Sequence, residues 1–320
     1  MLHSAVLKRE RTSSYIKKIG EYMALEHRRP PYLVGLVGTG VGPSLTPALH
    51  MAEGRAQGLD YVYRTIDLTT LGVAPEQIGE VLTWARALGY NALNITHPCK
   101  QLVIPHLDEV DDVAAALGAV NTVVFRDGRA IGFNTDTSGF ALGFAEGLPE
   151  AATGNVVLLG AGGAGTAVAD AMLRLGTGHL TVVDLDVERA TALAHDLAAR
   201  HPLVHIDASS FDKLSVLLPS SDGVVHATPT GMAEHPGRPF DADLLHSGLW
   251  VADIVYRPLD TALLQAARAA GCRTLDGGHM AVHQATEAFA LITGITPDTD
   301  RMSEHFRRLV AGDSGRNTSK

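Results

Sequence analysis

Residues 155–165 read Asn155-Val156-Val157-Leu158-Leu159-Gly160-Ala161-Gly162-Gly163-Ala164-Gly165, an apolar run of strand length that passes straight into a glycine-rich turn. The turn fits G-x-G-x-x-G and leads into a segment, 166–175, with helical spacing. In such a strand–turn–helix unit the first glycine permits the tight turn, the second lets the backbone approach a pyrophosphate, and the third lets helix and strand pack closely. The free N–H groups at the helix start then hold the phosphates. The next apolar run ends in Asp184, 19 residues after Gly165, where a carboxylate can accept hydrogen bonds from an adenosine ribose. A Rossmann-type dinucleotide site is therefore expected, lined by Gly160, Gly162, Gly163, Ala164, Gly165 and Asp184. A carboxylate at Asp184, with Asp186 close behind, repels a 2′-phosphate and favours NAD over NADP. Arg189 is the counterweight: it could meet such a phosphate, although its neighbours Asp186 and Glu188 suit an ordinary solvated charge.

Outward from this stretch, short apolar runs alternate with amphipathic segments, the pattern of βα units around a mostly parallel sheet. Strands are expected at 32–37, 61–66, 90–95, 119–125 and 128–133, then at 155–159, 179–183, 203–206, 222–226, 249–253 and 272–275. Between the sets, 137–148 is helical in spacing and is followed by Pro149 and a polar loop. Segments 278–293 and 299–310 read as helices with no strand left to cross to, so they should pack back on the first set. The expected fold is α/β: two α/β domains with a cleft between them. Residues 31–136 with 278–312 form the substrate-binding catalytic domain, 137–277 the dinucleotide-binding domain and 313–320 a tail. Residues 1–30 lack clean periodicity, end in Arg28-Arg29-Pro30-Pro31 and read as an extension, with Met23 as an alternative start.

Composition narrows the function. The 320 residues carry 26 Lys plus Arg against 35 Asp plus Glu, a net charge of −9, and 46% are hydrophobic. Such a chain can bury a full core and has no electrostatic footprint for nucleic acid. Cys99 and Cys272 are too few and too far apart for a disulfide framework or a zinc knuckle, which points to a reducing, cytoplasmic setting. No export signal is read at the start, and the charge-free stretch 151–169 is too rich in glycine for a membrane span. Only six of the 26 basic residues are lysine, and beyond Lys18 there remain Lys100, Lys213 and Lys320. Arg cannot readily give up a proton and Lys can, so each internal lysine invites a question. Lys213 suits a solvated helix face.

Lys100 closes Asn94-Ile95-Thr96-His97-Pro98-Cys99-Lys100, at the carboxyl end of an expected strand, where an α/β sheet borders its ligand crevice. An amine there suits general acid–base work. Gly118-Ala119-Val120-Asn121-Thr122 and Asn134-Thr135-Asp136 put polar pairs in apolar strand contexts, which is costly unless they bind something. Ser44-Leu45-Thr46-Pro47 offers two hydroxyls two residues apart; an extended backbone before the proline would point both the same way, toward a small carboxylate. His279, His283 and Glu287 fall on one helix face but lie too far apart for a metal site, and none is expected.

Together these motifs resemble the shikimate dehydrogenase family over residues 32 to about 310. Gly38 to Pro47 is similar to its G-x-P-x-x-H-S-x-S-P, Asn94 to Lys100 to its N-V-T-x-P-x-K, and Gly118 to Thr122 to its G-A-V-N-T. Asn134-Thr135-Asp136, the glycine turn, Ala227-Thr228-Pro229-Thr230-Gly231-Met232 and Asp276-Gly277-Gly278-His279-Met280-Ala281-Val282-His283-Gln284 match further motifs in order. The resemblance implies hydride transfer from C3 of a ring polyol to a nicotinamide, with Lys100 and Asp136 as the catalytic pair. It implies that Ser44 and Thr46 hold the substrate carboxylate, while Asn94, Thr96, Lys100, Asn121, Asp136 and Gln284 contact the ring hydroxyls. Thr228, Met232, Tyr256 and Gly277 join the cofactor set, Tyr256 with a packing aromatic as its alternative. Pro43-Ser44-Leu45-Thr46 and Asp184-Leu185-Asp186 depart from the common His-Ser-x-Ser and Asn-Arg-Thr patterns. Both resemble the branch that uses NAD and accepts quinate as well as shikimate. The alternatives are an NADP-dependent biosynthetic shikimate dehydrogenase, a folate-type dehydrogenase, which Ser44, Thr46 and Gln284 disfavour, and a non-catalytic quinate/shikimate sensor. The expected partners are small molecules, with no nucleic acid and no membrane, in a monomer or homodimer. Cys99 has no assigned role.

Overall fold

A computed structural model describes residues 31–317, with side chains to 312; the expected extension 1–30 and its Met23 lie outside the described residues. The described residues build two six-stranded sheets in sequence order. The first uses β1 (Tyr32–Gly38), β2 (Tyr61–Asp67), β3 (Ala92–Ile95), β4 (Glu109–Val110), β5 (Thr122–Arg126) and β6 (Arg129–Phe133), in the order β2-β1-β3-β5-β6-β4. Its connections carry helices α1 (Thr46–Ala56), α2 (Leu68–Leu71), α3 (Ile78–Ala87), α4 (Cys99–Leu102) and α5 (Asp112–Leu117). The second uses β7 (Asn155–Leu159), β8 (His179–Val183), β9 (His205–Ser209), β10 (Gly223–His226), β11 (Trp250–Asp253) and β12 (Arg273–Leu275), in the order β12-β11-β10-β7-β8-β9.

Every pairing in the second sheet is parallel. Its strand order reverses between β8 and β10 on either side of β7, which is where a doubly wound sheet opens its ligand crevice. Helices cover both faces, so the strands read as continuous apolar runs. Val156, Leu158, Leu180 and Val182 pack with Phe140 and Phe144 of α6 (Asp136–Gly147), Met172 of α7 (Gly163–Arg174) and Leu197 of α8 (Val187–Arg200). Val157, Leu159, Val183, Val224 and Val251 pack on the opposite side with Leu214, which opens the short α9 (Leu214–Leu217), and with Leu263 and Leu264 of α10 (Ala262–Ala269).

The first sheet is mostly parallel as expected, with three parallel pairings, but β5 runs antiparallel to both β3 and β6. The cause is local. Asp127 and Gly128, at φ 52° and 75°, form a two-residue turn with both φ values positive, which reverses the chain directly where a parallel pairing would need a crossover. Strand β5 also begins later than the expected 119–125, since Val120 N–H bonds to the Lys100 carbonyl. The short β4 beside β6 was not expected from the sequence.

Two long helices complete the chain, α11 (Gly277–Thr293) and α12 (Thr299–Asn317), the latter running past the expected end at 310 into the expected tail. Helix α11 is capped by Asp276, whose carboxylate accepts from Gly278 N–H, and stops at Gly294, φ 71°. Its Phe289 stacks on Tyr61 of the first sheet, with ring centroids 5.3 Å apart. Met302 and Phe306 of α12 pack with Leu49 of α1 and Val282 of α11. Glu53 of α1, buried, accepts from Arg301 Nε (2.8 Å) and Nη2 (2.6 Å), Asp298 N (3.0 Å) and Gln57 Nε2 (2.9 Å).

Helices α6 and α11 lie close because α6 presents Gly139 and Gly143 to α11, and Gly147, four residues on, to Leu275 of β12. A Cβ at Gly139 would stand 2.8 Å from Gln284 N, one at Gly143 3.0 Å from His279 Cβ, and one at Gly147 2.3 Å from Leu275 Cδ1. At Gly139 the obstacle is backbone, which cannot swing away. Gly139→Ala should therefore cost about 1–3 kcal/mol through overpacking and lower Tm by several degrees. Gly312→Ala, where a Cβ meets nothing within 4 Å, should be neutral or stabilising. Thermal unfolding of the two variants checks this contrast.

Candidate active site

Lys100 sits in the single turn of α4, just past the carboxyl end of β3, and its Nζ lies 2.5 Å from Asp136 Oδ2. Asp136 opens α6, where a carboxylate suits the positive end of the helix dipole. Its side chain is 5% exposed and that of Lys100 is 23% exposed, so the lysine is the more accessible member of the pair and the carboxylate is enclosed.

A polar network fixes both. Asn121 donates from Nδ2 to Asp136 Oδ1 (2.9 Å) and Thr135 Oγ1 (3.0 Å), while its Oδ1 accepts from Thr135 N (3.0 Å) and Thr122 Oγ1 (3.0 Å). Asn94 donates to Thr122 Oγ1 (2.9 Å) and accepts from Tyr63 OH (2.6 Å). Asn134 Oδ1 accepts from Asp136 N (2.9 Å), and its Nδ2 donates to Ala119 O (2.9 Å). An amide has two donors and one two-lone-pair acceptor, so Asn121 is fully engaged within the protein and meets a ring hydroxyl only by sharing one of these bonds. Tyr63, Thr122, Asn134 and Thr135 are parts of the site that the sequence reading did not single out for a role. Asn134, two residues before Asp136, has the spacing of a side chain closing an Asx-type turn and could have been read that way.

The hydroxyl pair is not presented by an extended segment as expected. Leu45 is in the right-handed helical region, at φ −83° and ψ −14°, and Thr46 already begins α1. Pro47 is tolerated there because the first turn of a helix needs no N–H from it. Ser44 Oγ accepts from Thr46 N at 3.3 Å. Both residues thus lie at a helix start, whose open N–H groups favour an anion. Thr96 follows β3 on the same rim; its N–H bonds to the Val37 carbonyl at 2.9 Å. Gln284 lies on α11, its backbone against Gly139, less than one turn of α6 from Asp136.

On the second sheet the glycine turn has the geometry its spacing predicts. Gly160 has φ 105°, a Cβ on it would stand 2.6 Å from the Ala227 carbonyl, and a Cβ on Gly165 would stand 1.9 Å from the Gly160 carbonyl. Gly162 caps α7, whose first turn contains Gly163, Ala164 and Gly165. This leaves a bare backbone cradle at a helix start, suited to a dinucleotide pyrophosphate.

Asp184, buried at the end of β8, accepts at Oδ2 from Ala161 N (2.7 Å) and at Oδ1 from Asp186 N (2.9 Å) and Arg189 Nη2 (2.7 Å). Burial alone would push this carboxyl up, but the Arg189 guanidinium and the backbone N–H groups outweigh it and hold it below the usual range. Arg189 is therefore a partner of Asp184 while its side chain stays 53% exposed, because five residues bring it back over the strand end. Leu185, at the next position, is exposed.

Thr228 Oγ1 lies 2.5 Å from His226 Nε2, and His226 Nδ1 lies 2.9 Å from Asp253 Oδ1, inside a buried network completed by Thr261. Met232 is partly exposed beyond it. A Cβ on Gly277 would meet the Ile254 carbonyl at 2.4 Å, so this glycine lets α11 start against the end of β11. Tyr256 packs on Phe306, with centroids 6.1 Å apart, in a cluster that includes Leu45. Next to it, Arg257 Nη1 donates to the Pro43 carbonyl at 2.6 Å, linking the two halves.

His279, His283 and Glu287 diverge toward separate partners: Asp276 (3.5 Å), Glu146 (2.6 Å) and Ser138. Cys99 is fully buried among Val37, Ile78 and Val103, and burial followed by the charge of Glu76 raises its thiol above the usual value, so it packs beneath the Lys100 turn as an apolar residue. Lys213 is exposed and pairs with Asp212 at 3.1 Å. Among the described residues no helix is long and apolar enough to cross a membrane.

Residues 36–123 match the shikimate dehydrogenase substrate-binding domain, and residues 145–234 match the shikimate/quinate 5-dehydrogenase domain. The chain is 62% identical over 279 residues to a protein of Streptomyces avermitilis named shikimate dehydrogenase (NADP(+)), covering 87% of this chain and 96% of that one. It is 51% identical to a quinate/shikimate dehydrogenase (NAD(+)) of Corynebacterium efficiens, covering 87% and 98%. The solved quinate dehydrogenase from Corynebacterium glutamicum in complex with NAD superposes with a TM-score of 0.83 at 48% identity, covering 87% of this chain and 99% of that one. With an N-terminal substrate domain, a Rossmann-like second domain and these relatives, the chain belongs to the shikimate dehydrogenase family and is an oxidoreductase of the shikimate/quinate type that uses a nicotinamide dinucleotide.

Proposed function

We propose that the enzyme is NAD-dependent and oxidises the C3 hydroxyl of quinate and of shikimate, reversibly, to the 3-dehydro acids. The observation that carries the reading is the pair of Lys100 and Asp136 at 2.5 Å, open to the cleft on the amine side. A sensor would have no use for a proton-transferring group held this way. Residues 31–136 with 278–312 form the substrate side of that cleft, and 137–277 the cofactor side.

In the oxidative direction Lys100, as the neutral amine, takes the C3 hydroxyl proton at Nζ as the carbonyl forms, and the resulting ammonium returns that proton to the oxygen in the reverse direction. Asp136 holds the amine in place and is itself aimed by Asn121. The dinucleotide, when bound, supplies the hydride acceptor. Gly160, Gly162, Gly163, Ala164 and Gly165 would hold its pyrophosphate, with Thr228, Met232, Tyr256 and Gly277 toward the nicotinamide. Ser44 and Thr46 would anchor the substrate carboxylate, and Asn94, Thr96, Asn121 and Gln284 would face the ring hydroxyls.

NAD preference rests on Asp184 and Leu185. A 2′-phosphate would be set against a buried carboxylate, beside an exposed leucine that offers it no hydrogen bond. Arg189, the nearby cation, is already committed to Asp184. The second reading, NADP dependence with shikimate alone, is favoured by the name of the Streptomyces relative.

Initial rates of reduced-cofactor formation with each acid and each dinucleotide separate the readings. Turnover of both acids with NAD well above NADP is expected; activity with shikimate and NADP alone would transfer the assignment to the second reading, and no turnover with either acid would favour a sensor. Lys100→Ala should lower kcat by about 10²–10⁴-fold with little change in NAD binding. Near-normal turnover would remove Lys100 from proton transfer. Asp184→Ser removes the repelling charge and also frees Arg189, so the ratio of kcat/KM for NAD over NADP should fall by at least about tenfold. An unchanged ratio would place discrimination elsewhere.

A further inference from the structure

At the end of the second sheet remote from the cofactor crevice, the structure gathers two histidines and an aspartate that no step above uses. His179 opens β8 and His205 opens β9; they are directly paired across the parallel ladder, and their rings lie 4.5 Å apart. Asp207 is two residues along β9, so its side chain shares their face. Asp207 Oδ2 lies 3.0 Å from His179 Nε2 and 2.7 Å from His205 Nε2. One ligand atom from each residue falls within 4.8 Å of the others, and the group is accessible from solvent.

We propose that His179, His205 and Asp207 form a binding site for a divalent transition-metal ion of the Zn²⁺ class, cross-linking the edge strand β9 to β8. The donor set selects the class, since two imidazoles with one carboxylate suit zinc-like ions, whereas Ca²⁺ and Mg²⁺ favour all-oxygen sets. The geometry is close to what is needed. Bonds of about 2.0–2.2 Å at tetrahedral angles put neighbouring ligand atoms roughly 3.4 Å apart. Small side-chain rotations from the present separations reach that spacing, and both imidazoles already aim Nε2 at the same carboxylate oxygen. The ion would displace the protons now shared there, and water would complete its coordination. Because β9 ends the sheet, its outer backbone has no strand partner among the described residues, so a cross-link to β8 would stabilise the sheet at that edge. The site lies five residues before Asp184 along β8, about 16 Å at strand rise, so it is separate from the cofactor pocket.

The test is calorimetric titration of Zn²⁺ into the full-length, tag-free protein after chelator treatment, repeated with His205→Ala and Asp207→Asn. One ion per chain in the micromolar range is expected, with a Tm rise of a few degrees on adding Zn²⁺. Partners one step removed from a metal already contribute about 10- to 100-fold to affinity, so losing a ligand should weaken binding by at least that much and abolish the Tm rise. Dehydrogenase turnover should be retained in both variants, which shows that they are folded. No saturation by about 1 mM Zn²⁺ overturns the proposal. So does unchanged binding in the variants, which would put the ion elsewhere. Loss in one variant alone overturns the three-ligand assignment, and binding without a Tm rise overturns the cross-link.

Discussion

The close contact between α6 and α11 is the constraint on which the rest of the molecule depends. The chain passes from the first sheet to the second through α6 and returns through α11. Gly139 and Gly143 let these two passages touch at backbone distance. The arrangement gives α6 two allegiances. Its body carries Phe140 and Phe144 into the core of the cofactor-side sheet, where Phe144 meets the Trp250 ring edge-on at 4.9 Å, while its first residue is Asp136. The carboxylate that grips Lys100 on the substrate side is thus mounted on a helix anchored in the other half. Gln284 is brought toward the same point by the same contact.

Around that joint the site is ordered by hydrogen bonds more than by charge. From Tyr63 through Asn94, Thr122 and Asn121 to Asp136, each buried polar group has a partner, and the side-chain amides are held in one orientation by what they donate to and accept from. Buried polar atoms without partners would each cost on the order of 1–3 kcal/mol, so the network favours a single arrangement. The pair of Lys100 and Asp136 is the end of a directed chain, and its geometry is inherited in part from Tyr63 and Thr122, to which no substrate contact is assigned.

The cofactor side was legible in the sequence because its chemistry is local: the glycines of the turn and Asp184 lie within one βαβ unit, and the backbone path itself requires Gly160 and Gly165. The clustering of Lys100, Asn121 and Asp136 was legible through their motifs, although their bonding pattern was not. Asn121 could be marked as unusual in a strand, but its full commitment within the protein depends on the antiparallel pairing of β5. That pairing follows from a turn at Asp127-Gly128 whose signal was present and unused. The extended reading of Ser44 to Thr46 failed because the restriction before a proline competes with proline's compatibility with a helix's first turn. Asp184 was read as facing a ligand only, since the return of Arg189 over the strand end needs the helix start in three dimensions. His179 and His205 are 26 residues apart in number and adjacent only in register, so no spacing rule could have joined them.

The carboxylate of Glu53 ties α1, the helix whose start carries Ser44 and Thr46, to the terminal α12. Burial pushes this carboxyl up, but Arg301, the Asp298 N–H and Gln57 overcome that and hold it below the usual range. A group lowered in the folded state stabilises the fold fully above the ordinary carboxylate range and loses that contribution as acid approaches its lowered value. The scaffold behind the carboxylate-binding end is thereby coupled to a proton equilibrium far from any substrate atom, one that leaves it untouched in mild acid and loosens it only once the pH falls through and below the ordinary carboxylate range.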